Sequence, residues 1–232
     1  HGARATHHGS CVVLTAGPPG AGKSTLLTSA VPDASQRLII DPDIAKNYLA
    51  AWCAQRELYA DLLETELPDG RTIRPLELAP LLHMMSTECC NLIRRQALSA
   101  HTDIVIETTM ASPAFGERLL LSLAKADYDE LLVISVEIDH DTAQTRAIQR
   151  WWDGHQHNPD MGGRIVLPET ISAAYPTDRR ISACRTNARS LVDTIRTGGT
   201  VIDTVTIAEY DDRELTRLDA DPPRAIRNQG KG

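Results

Sequence analysis

Eight consecutive residues near the start of the chain have the composition and spacing of a phosphate-binding loop. They read Gly17-Pro18-Pro19-Gly20-Ala21-Gly22-Lys23-Ser24, which matches G-x-x-x-x-G-K-[ST]. The glycines let backbone N–H groups face phosphate oxygens, and Lys23 adds a full positive charge. The strand-like run Val12–Thr15 precedes the loop and a helical stretch from Thr25 follows it, which an ordinary turn with one surface lysine would not require. The pattern therefore predicts ATP binding by Gly17 to Thr25, with Ser24 as a magnesium ligand.

Acidic side chains follow two other apolar runs. Leu38–Ile40 leads into Asp41 and Asp43, and Ile104–Ile106 leads into Glu107. In open α/β sheets, ligands bind beyond the carboxyl ends of the strands. We therefore expect these carboxylates to lie beside the phosphate-binding loop.

The chemistry expected of these acids is that of a kinase acting on a hydroxyl group. Asp43 is predicted to be the general base that accepts the hydroxyl proton, and its alternative role is to cap a helix over Ile44–Leu49. Asp41 is expected to support the magnesium ion or only to end the strand. Glu107 could hold a magnesium-bound water or a substrate hydroxyl, and Thr109 could donate to the substrate or start the next helix.

Two arginines, Arg150 and Arg164, bracket a polar segment, Asp153–Gly163. Its Gly, His, Asn and Asp content predicts a mobile loop whose closure would bring both guanidinium groups over the transferring phosphate. The alternative is that both arginines only face solvent. His155 and His157 have no Cys or carboxylate cluster at ligand spacing, so they are interpreted as solvated loop residues and not as a metal site.

The elements that must position these residues follow a repeating βα pattern. Strands that read as continuous apolar runs are typical of sheets buried on both faces, so the pattern predicts a single-domain α/β P-loop kinase fold with a mostly parallel five-stranded sheet flanked by helices. The expected strands are Cys11–Thr15, Leu38–Ile40, Ile104–Glu107, Leu131–Glu137 and Val201–Ile207.

The longest connection is a helical insert between the second and third strands. It is predicted to contain a helix near Ala54–Glu66, a Pro68-Asp69-Gly70 turn and a helix near Leu81–Ala100. Such an insert can form a substrate pocket or merely cover the sheet. Two further helices are predicted, near Thr142–Trp152 and over Ile181–Ile195.

Composition limits the classes of protein that are compatible with the chain. With 232 residues and 42% hydrophobic content, one sizeable core is expected. The net charge of −7 argues against a general nucleic-acid binder. Five cysteines without C-x-x-C spacing predict a reducing, cytoplasmic setting, and no apolar run is long enough to cross a membrane.

The expected domain covers residues 11–218. Residues 1–10 include His7, His8, Gly9 and Ser10, which resemble tag sequence, and are expected to be tag-derived or disordered. Residues 219–232 are expected to form a flexible tail.

The combined pattern resembles the zeta toxin family of small P-loop kinases, from about Val12 to Ile207. Four blocks occur in the order of the family, and together they are more specific than the loop alone. They are Gly17–Ser24, Ile40–Asp43 with Lys46, Val105–Thr109, and Arg150 followed by Arg164.

The resemblance implies an enzyme that uses ATP and Mg²⁺ to phosphorylate the sugar of UDP-N-acetylglucosamine and that is neutralised by a small antitoxin. It implies that Lys23 binds the ATP phosphates, that Asp43 is the base and that Arg150 and Arg164 stabilise the transferred phosphate. The residues that it places at the acceptor are Asp43, Lys46, Glu88, Glu107 and Thr109. Glu88 also borders an apolar stripe with Met84 and Leu92, where an idle carboxylate would be costly.

The chain departs from the family pattern beside the substrate threonine. Thr108 replaces the usual glycine, and Met110-Ala111 replaces a basic residue that is often present. The sugar nucleotide is therefore the leading acceptor, and an antibiotic, a nucleotide or a dinucleotide remains an alternative. A regulatory ATPase is the alternative from another class, although no guanine-reading N-K-x-D motif is present.

Overall fold

In the computed structural model, which describes residues 11–31, 33–68, 70–198 and 202–214, a five-stranded sheet is flanked by helices. All strands are parallel, in the order β2-β3-β1-β4-β5. The strands are β1 (Cys11–Ala16), β2 (Leu38–Ile40), β3 (Ile104–Ile106), β4 (Glu130–Glu137) and β5 (Thr204–Asp211). The predicted fold class is confirmed, and the sheet is fully parallel, not only mostly so.

Eight α-helices lie in the described part of the chain. They are α1 (Lys23–Ala30), α2 (Pro42–Gln55), α3 (Ala60–Leu63), α4 (His83–Ser99), α5 (Pro113–Lys125), α6 (His140–His157), α7 (Pro168–Ala173) and α8 (Ala183–Arg196). Two short 3₁₀ turns, Ala34–Gln36 and Pro75–Leu78, complete the elements.

The sheet is covered on both faces, which explains why its inner strands read as continuous apolar runs. Every residue of β1 is buried. Val12 and Leu14 pack in a cluster with Leu119 of α5 and Leu191 of α8. Val13, between them, packs in a second cluster with helices α1 and α6 on the opposite face.

The strand order brings the predicted site residues together at the carboxyl ends of three neighbouring strands. β3 lies between β2 and β1, so the loops after these three strands are neighbours. The backbone N–H of Glu107 donates to the carbonyl of Ile40 at 2.9 Å, and the N–H of Gly17 donates to the carbonyl of Thr109 at 3.1 Å. These two bonds join the loops after β2, β3 and β1.

The insert between β2 and β3 differs from the predicted helix positions. The helix expected near Ala54–Glu66 is wrong: α2 runs to Gln55, and only the short α3 follows. Glu57 and Tyr59 have φ values of +56° and +65°, and this left-handed backbone interrupts a helix. The helix predicted near Leu81–Ala100 corresponds to α4.

Four predicted features fall wholly or partly on residues outside the described ranges. These are the N-terminal residues 1–10, the tail 219–232, Asp69 in the predicted Pro68-Asp69-Gly70 turn and the start of the last strand at Val201. The described part of that strand, β5, begins at Thr204 and continues to Asp211, beyond the predicted end at Ile207. The proposed boundaries of the domain remain predictions.

Candidate functional site

The backbone of the phosphate-binding loop favours glycine at its turn and requires it at one close contact. Gly20 and Gly22 have φ values of +81° and +78°, in the left-handed region. A Cβ atom on Gly17 would lie 2.5 Å from the carbonyl oxygen of Val136 on β4. The loop therefore depends on glycine both for its turn and for its close approach to the neighbouring strand.

The remaining loop residues lie where the motif requires them. The N–H of Ala21 donates to the carbonyl of Pro18 at 3.2 Å, which tightens the loop. Pro19 is half-buried, and Thr25 is exposed in the first turn of α1. The N-terminus of α1 thus opens directly from the loop, as anion binding at a helix N-terminus requires.

The ammonium group of Lys23 lies within the loop and donates to the carbonyls of Gly17 and Pro18, at 2.9 and 3.0 Å. Burial lowers its pKa, while the Cys184 thiol and the carboxylates of Glu107 and Asp43 act in the opposite direction. Lys23 is therefore within electrostatic range of both predicted acids.

Ser24 and Glu107 form the closest contact across the loop edges. The Ser24 hydroxyl donates to Oε2 of Glu107 at 2.6 Å. Burial raises the pKa of Glu107, partly offset by this hydrogen bond, and the negative charge of Asp41 adds to the rise. A hydroxyl and a carboxylate oxygen at the end of a phosphate-binding loop are the donor types that Mg²⁺ prefers. The contact therefore favours a magnesium role for Glu107 over the substrate contact that the family resemblance implied.

Asp43 lies among cations at the start of α2. Its Oδ1 is 3.2 Å from Nζ of Lys46, and its Oδ2 is 3.5 Å from Nη2 of Arg164. Burial alone would raise the pKa of Asp43, but Arg164, Lys46 and Arg150 together lower it below its ordinary value. The lowered pKa keeps the carboxylate ionised at neutral pH. One-third of the side chain is exposed, so an acceptor can reach it.

The alternative in which Asp43 caps its own helix is wrong, because Asp41 is the N-cap. Oδ1 of Asp41 accepts from the N–H of Asp43 at 2.8 Å, and Pro42 occupies the first helical position. Asp41 thereby fixes the backbone of the predicted base. Burial raises the pKa of Asp41, and the neighbouring Asp43 charge contributes to the rise.

The two predicted arginines lie more than 100 positions after Asp43 in the chain. Arg164 donates through Nη1 to the backbone carbonyl of Asp43 at 3.0 Å and to Oδ1 of Asn47 at 3.2 Å. Burial lowers the pKa of Arg150, the Asp43 carboxylate raises it and Arg164 lowers it, so Arg150 lies within electrostatic range of both residues. The structure thus brings Arg164 into contact with Asp43 and Arg150 within electrostatic range of it.

The segment between these arginines is only in part the solvated loop that its composition predicts, because it begins as helix and buries His155, whereas Asp153, His157 and Asp160 are exposed. α6 continues through His157, and His155 is buried. Gly162 and Gly163 are also buried, and a Cβ atom on Gly163 would lie 1.9 Å from the carbonyl oxygen of Trp151. The segment folds back tightly on α6, because glycine permits the two backbones to touch.

Thr109 takes part in the backbone scaffold of the site. Its carbonyl oxygen accepts from Gly17, and its hydroxyl accepts from the N–H of Ala111 at 3.3 Å. The preceding Thr108 donates its N–H to the Thr15 hydroxyl at 3.2 Å. The segment after β3 is therefore fixed against the phosphate-binding loop.

Glu88 does not join this cluster. It projects from α4 into solvent and pairs with Arg95 at 3.3 Å, with 61% of each side chain exposed. Hydrogen bonds from Asn91 and Arg95 lower its pKa. Met84 and Leu92, its neighbours on the helix, are exposed as well, so the expectation of a costly carboxylate in an apolar stripe is wrong.

Sequence reasoning missed Asn47 and a buried carboxylate, Glu77. Asn47 lies one helical turn after Asp43, so the i, i+4 spacing could have indicated it. Glu77 contacts Trp151 and His155, more than 70 positions away, and carries no local signal.

Two features are absent from the residues that the structure describes. Within them, no group of three or more His, Cys, Asp and Glu side chains is arranged to hold a metal ion. None of the described helices combines the length and the hydropathy that crossing a membrane requires.

The chain is similar to known proteins in family and in fold. A family model for zeta toxin matches residues 6–215, whereas no curated protein matches the chain. A structure from the PezAT chromosomal toxin-antitoxin system of Streptococcus pneumoniae is similar with a TM-score of 0.59 and 14% identity, covering 91% of this chain and 72% of the other.

Structures of AvrRxo1-ORF1:AvrRxo1-ORF2 are similar as well. The complex with sulphate ions has a TM-score of 0.58 at 14% identity, and that with ATP has 0.57 at 12% identity. Each covers 86% of this chain, which spans only 54% of the matched chain. At such identities the structural likeness shows the shared fold alone.

Proposed function

The chain belongs to the zeta toxin family, and from this membership and the geometry of the site we propose that it transfers the γ-phosphoryl group of ATP to a hydroxyl of a small molecule. The proposed acceptor is the sugar of UDP-N-acetylglucosamine. The observation that supports transfer most directly is the ionised, accessible Asp43 carboxylate at the same sheet edge as Lys23 and Ser24.

Asp43 is proposed to orient the acceptor hydroxyl and to take its proton. The hydroxyl oxygen then forms a bond to the γ-phosphorus while the bond from that phosphorus to the bridging oxygen of ADP breaks. Because Lys46 and Arg164 hold the pKa of Asp43 low, the carboxylate is available as a base at neutral pH.

The cations are proposed to stabilise the charge of the moving phosphoryl group. Lys23 would exchange its bonds to the loop carbonyls for bonds to phosphate oxygens when ATP binds. Arg164 contacts Asp43, and Arg150 lies within electrostatic range of both Asp43 and Lys23, so both guanidinium groups would add positive charge around the moving phosphoryl group.

Magnesium is proposed to bind at Ser24 and Glu107, with Asp41 nearby. The 2.6 Å contact between the Ser24 hydroxyl and Oε2 of Glu107 brings two oxygen ligands together, which fits the ion. Magnesium, when bound, neutralises charge on the ATP phosphates. The raised pKa of Glu107 means that it loses its charge before Asp43 does as pH falls.

A regulatory ATPase is the competing function. A base that lies among cations and remains accessible is needed for transfer to an acceptor and has no evident use in a switch, which supports the kinase. The similarity to a toxin-antitoxin structure supports a small antitoxin as a further proposed partner.

The test is acceptor-dependent formation of ADP. The protein is incubated with ATP and Mg²⁺, together with UDP-N-acetylglucosamine, free N-acetylglucosamine, UDP, a dinucleotide cofactor or an antibiotic that carries hydroxyl groups. ADP formed only with UDP-N-acetylglucosamine is the expected result. Turnover that is the same without any acceptor would establish an ATPase instead, and response to another acceptor would correct the substrate.

A further inference from the structure

The carboxylate of Glu77 is buried between the insert and the arginine-bearing helix. It belongs to the 3₁₀ turn Pro75–Leu78, and only 8% of its side chain is exposed. Oε1 accepts from Nε1 of Trp151 at 2.9 Å and lies 2.7 Å from Nδ1 of His155. Oε2 accepts from the backbone N–H of Arg74 at 2.9 Å. One carboxylate thus joins the insert to two residues of α6.

Other hydrogen bonds join the insert to the segment after α6. Together with the contacts of Glu77 they form an interface that we call the seam. The guanidinium of Arg74 donates to the carbonyl of His155 and, at 3.4 Å, to that of Asn158. The N–H of Leu76 donates to the carbonyl of Met161 at 2.8 Å. Met161 also packs on the small apolar cluster of the insert. The insert therefore holds this segment at several successive points.

The residues of α6 and of the following segment in this seam lie between Arg150 and Arg164 in the chain. Arg164 contacts Asp43, and Arg150 lies within electrostatic range of it. Arg150 immediately precedes Trp151, and Arg164 immediately follows Gly163, whose Cα packs directly against the backbone of Trp151. Trp151 thus follows Arg150 in the chain and contacts Gly163, the residue before Arg164. Its indole N–H has Glu77 as its partner.

We propose that Glu77 is a positioning residue that holds Arg150 and Arg164 at Asp43. The inference rests on the proposed phosphoryl transfer, and Glu77 itself does not touch the substrates. A carboxylate that is buried and bonded to donors from two elements fixes both elements in one relative position. Loss of the contact would let the arginines move, and misplacement of catalytic groups by about 1 Å can cost roughly 100-fold in rate.

Glu77→Gln and Trp151→Phe test the proposal. The first keeps the shape of the side chain, and the second removes the indole donor while keeping an aromatic ring. Both should lower kcat for acceptor-dependent ADP formation, by roughly 10- to 100-fold for Glu77→Gln. The KM for ATP should stay within about twofold, because the phosphate-binding loop packs against α6 near Ala143, about two turns before Trp151. Wild-type kcat in Glu77→Gln would overturn the proposal.

Glu209→Gln is the matched control. Glu209 also accepts from two side chains, those of Arg185 and Arg189, but it lies on β5 away from the arginines at Asp43. It should keep its kcat even if its melting temperature falls. A loss of kcat that follows melting temperature equally in Glu77→Gln and Glu209→Gln would reduce Glu77 to a purely structural role.

Hydrogen exchange separates this proposal from the proposed function, since it needs no turnover. In Glu77→Gln, amides of residues 150–164 should exchange faster, while those of residues 11–30 should be unchanged. If the wild type transfers phosphate to none of the acceptors, the proposed function fails, and exchange still decides whether Glu77 holds the segment. Unchanged exchange in residues 150–164 would show that it does not.

Discussion

The proposed ATP-phosphate end of the site and its proposed acceptor end differ in how far apart their residues lie along the chain. Eight consecutive residues, Gly17–Ser24, form the first. The second combines Asp43 with Arg164, 121 positions away, and in our proposal Glu77 positions the arginines there. A local motif can form the grip on phosphate, whereas the environment of the base exists only when distant segments pack together.

The largest effect is expected from a substitution in the phosphate-binding loop. Lys23→Ala should abolish transfer, because the charge that the loop presents to the phosphates is lost. The measurement is ADP formation with saturating acceptor. Lys125→Ala, which removes an exposed lysine at the end of α5, is the matched control and should behave like the wild type. Turnover near the wild-type level in Lys23→Ala would exclude the loop from the mechanism.

A smaller effect is expected from a substitution at Asp43, and it concerns kcat and not ATP affinity. Asp43→Asn should reduce kcat by roughly 10² to 10⁴, the range for lost acid–base catalysis, and leave ATP affinity nearly intact. Steady-state kinetics together with ATP titration would measure both quantities. Asp61→Asn, at an exposed position on α3, serves as the control. Equal turnover in Asp43→Asn and the wild type would assign the base to another residue.

The smallest effect concerns pH and sharpens the difference between the two acids. Burial raises the pKa of Glu107, while nearby cations lower that of Asp43, so falling pH protonates Glu107 first. The acid limb of kcat/KM should therefore report Glu107, with activity falling roughly tenfold per pH unit below its pKa.

The profile of Glu107→Gln tests this assignment. The variant cannot titrate at this position, so its lower activity should stay flat to a more acidic pH than that of the wild type. An acid limb at the same pH in both proteins would transfer the titration to another group.

The sequence predicted the sheet more accurately than the connections. The run Ile104–Ile106 is continuously apolar and buried at every residue, and burial on both faces of a parallel sheet requires that pattern. The continuous helix expected near Ala54–Glu66 is absent, because Glu57 and Tyr59 adopt a left-handed backbone. Neither residue type predicts that conformation. The segment Asp153–Gly163 is polar in composition and yet packed, because its partners come from the insert.

The amino-acid sequence by itself determined the phosphate-binding loop and the order of strands and helices around it. Those features depend on neighbouring residues, through glycine backbone freedom and through hydrophobic periodicity. Only the tertiary structure decided that Asp41 caps α2 while Asp43 remains available, that Glu107 meets Ser24, and that Glu88 lies in solvent. Charge and burial at these positions come from residues distant along the chain, and sequence spacing does not encode such distances.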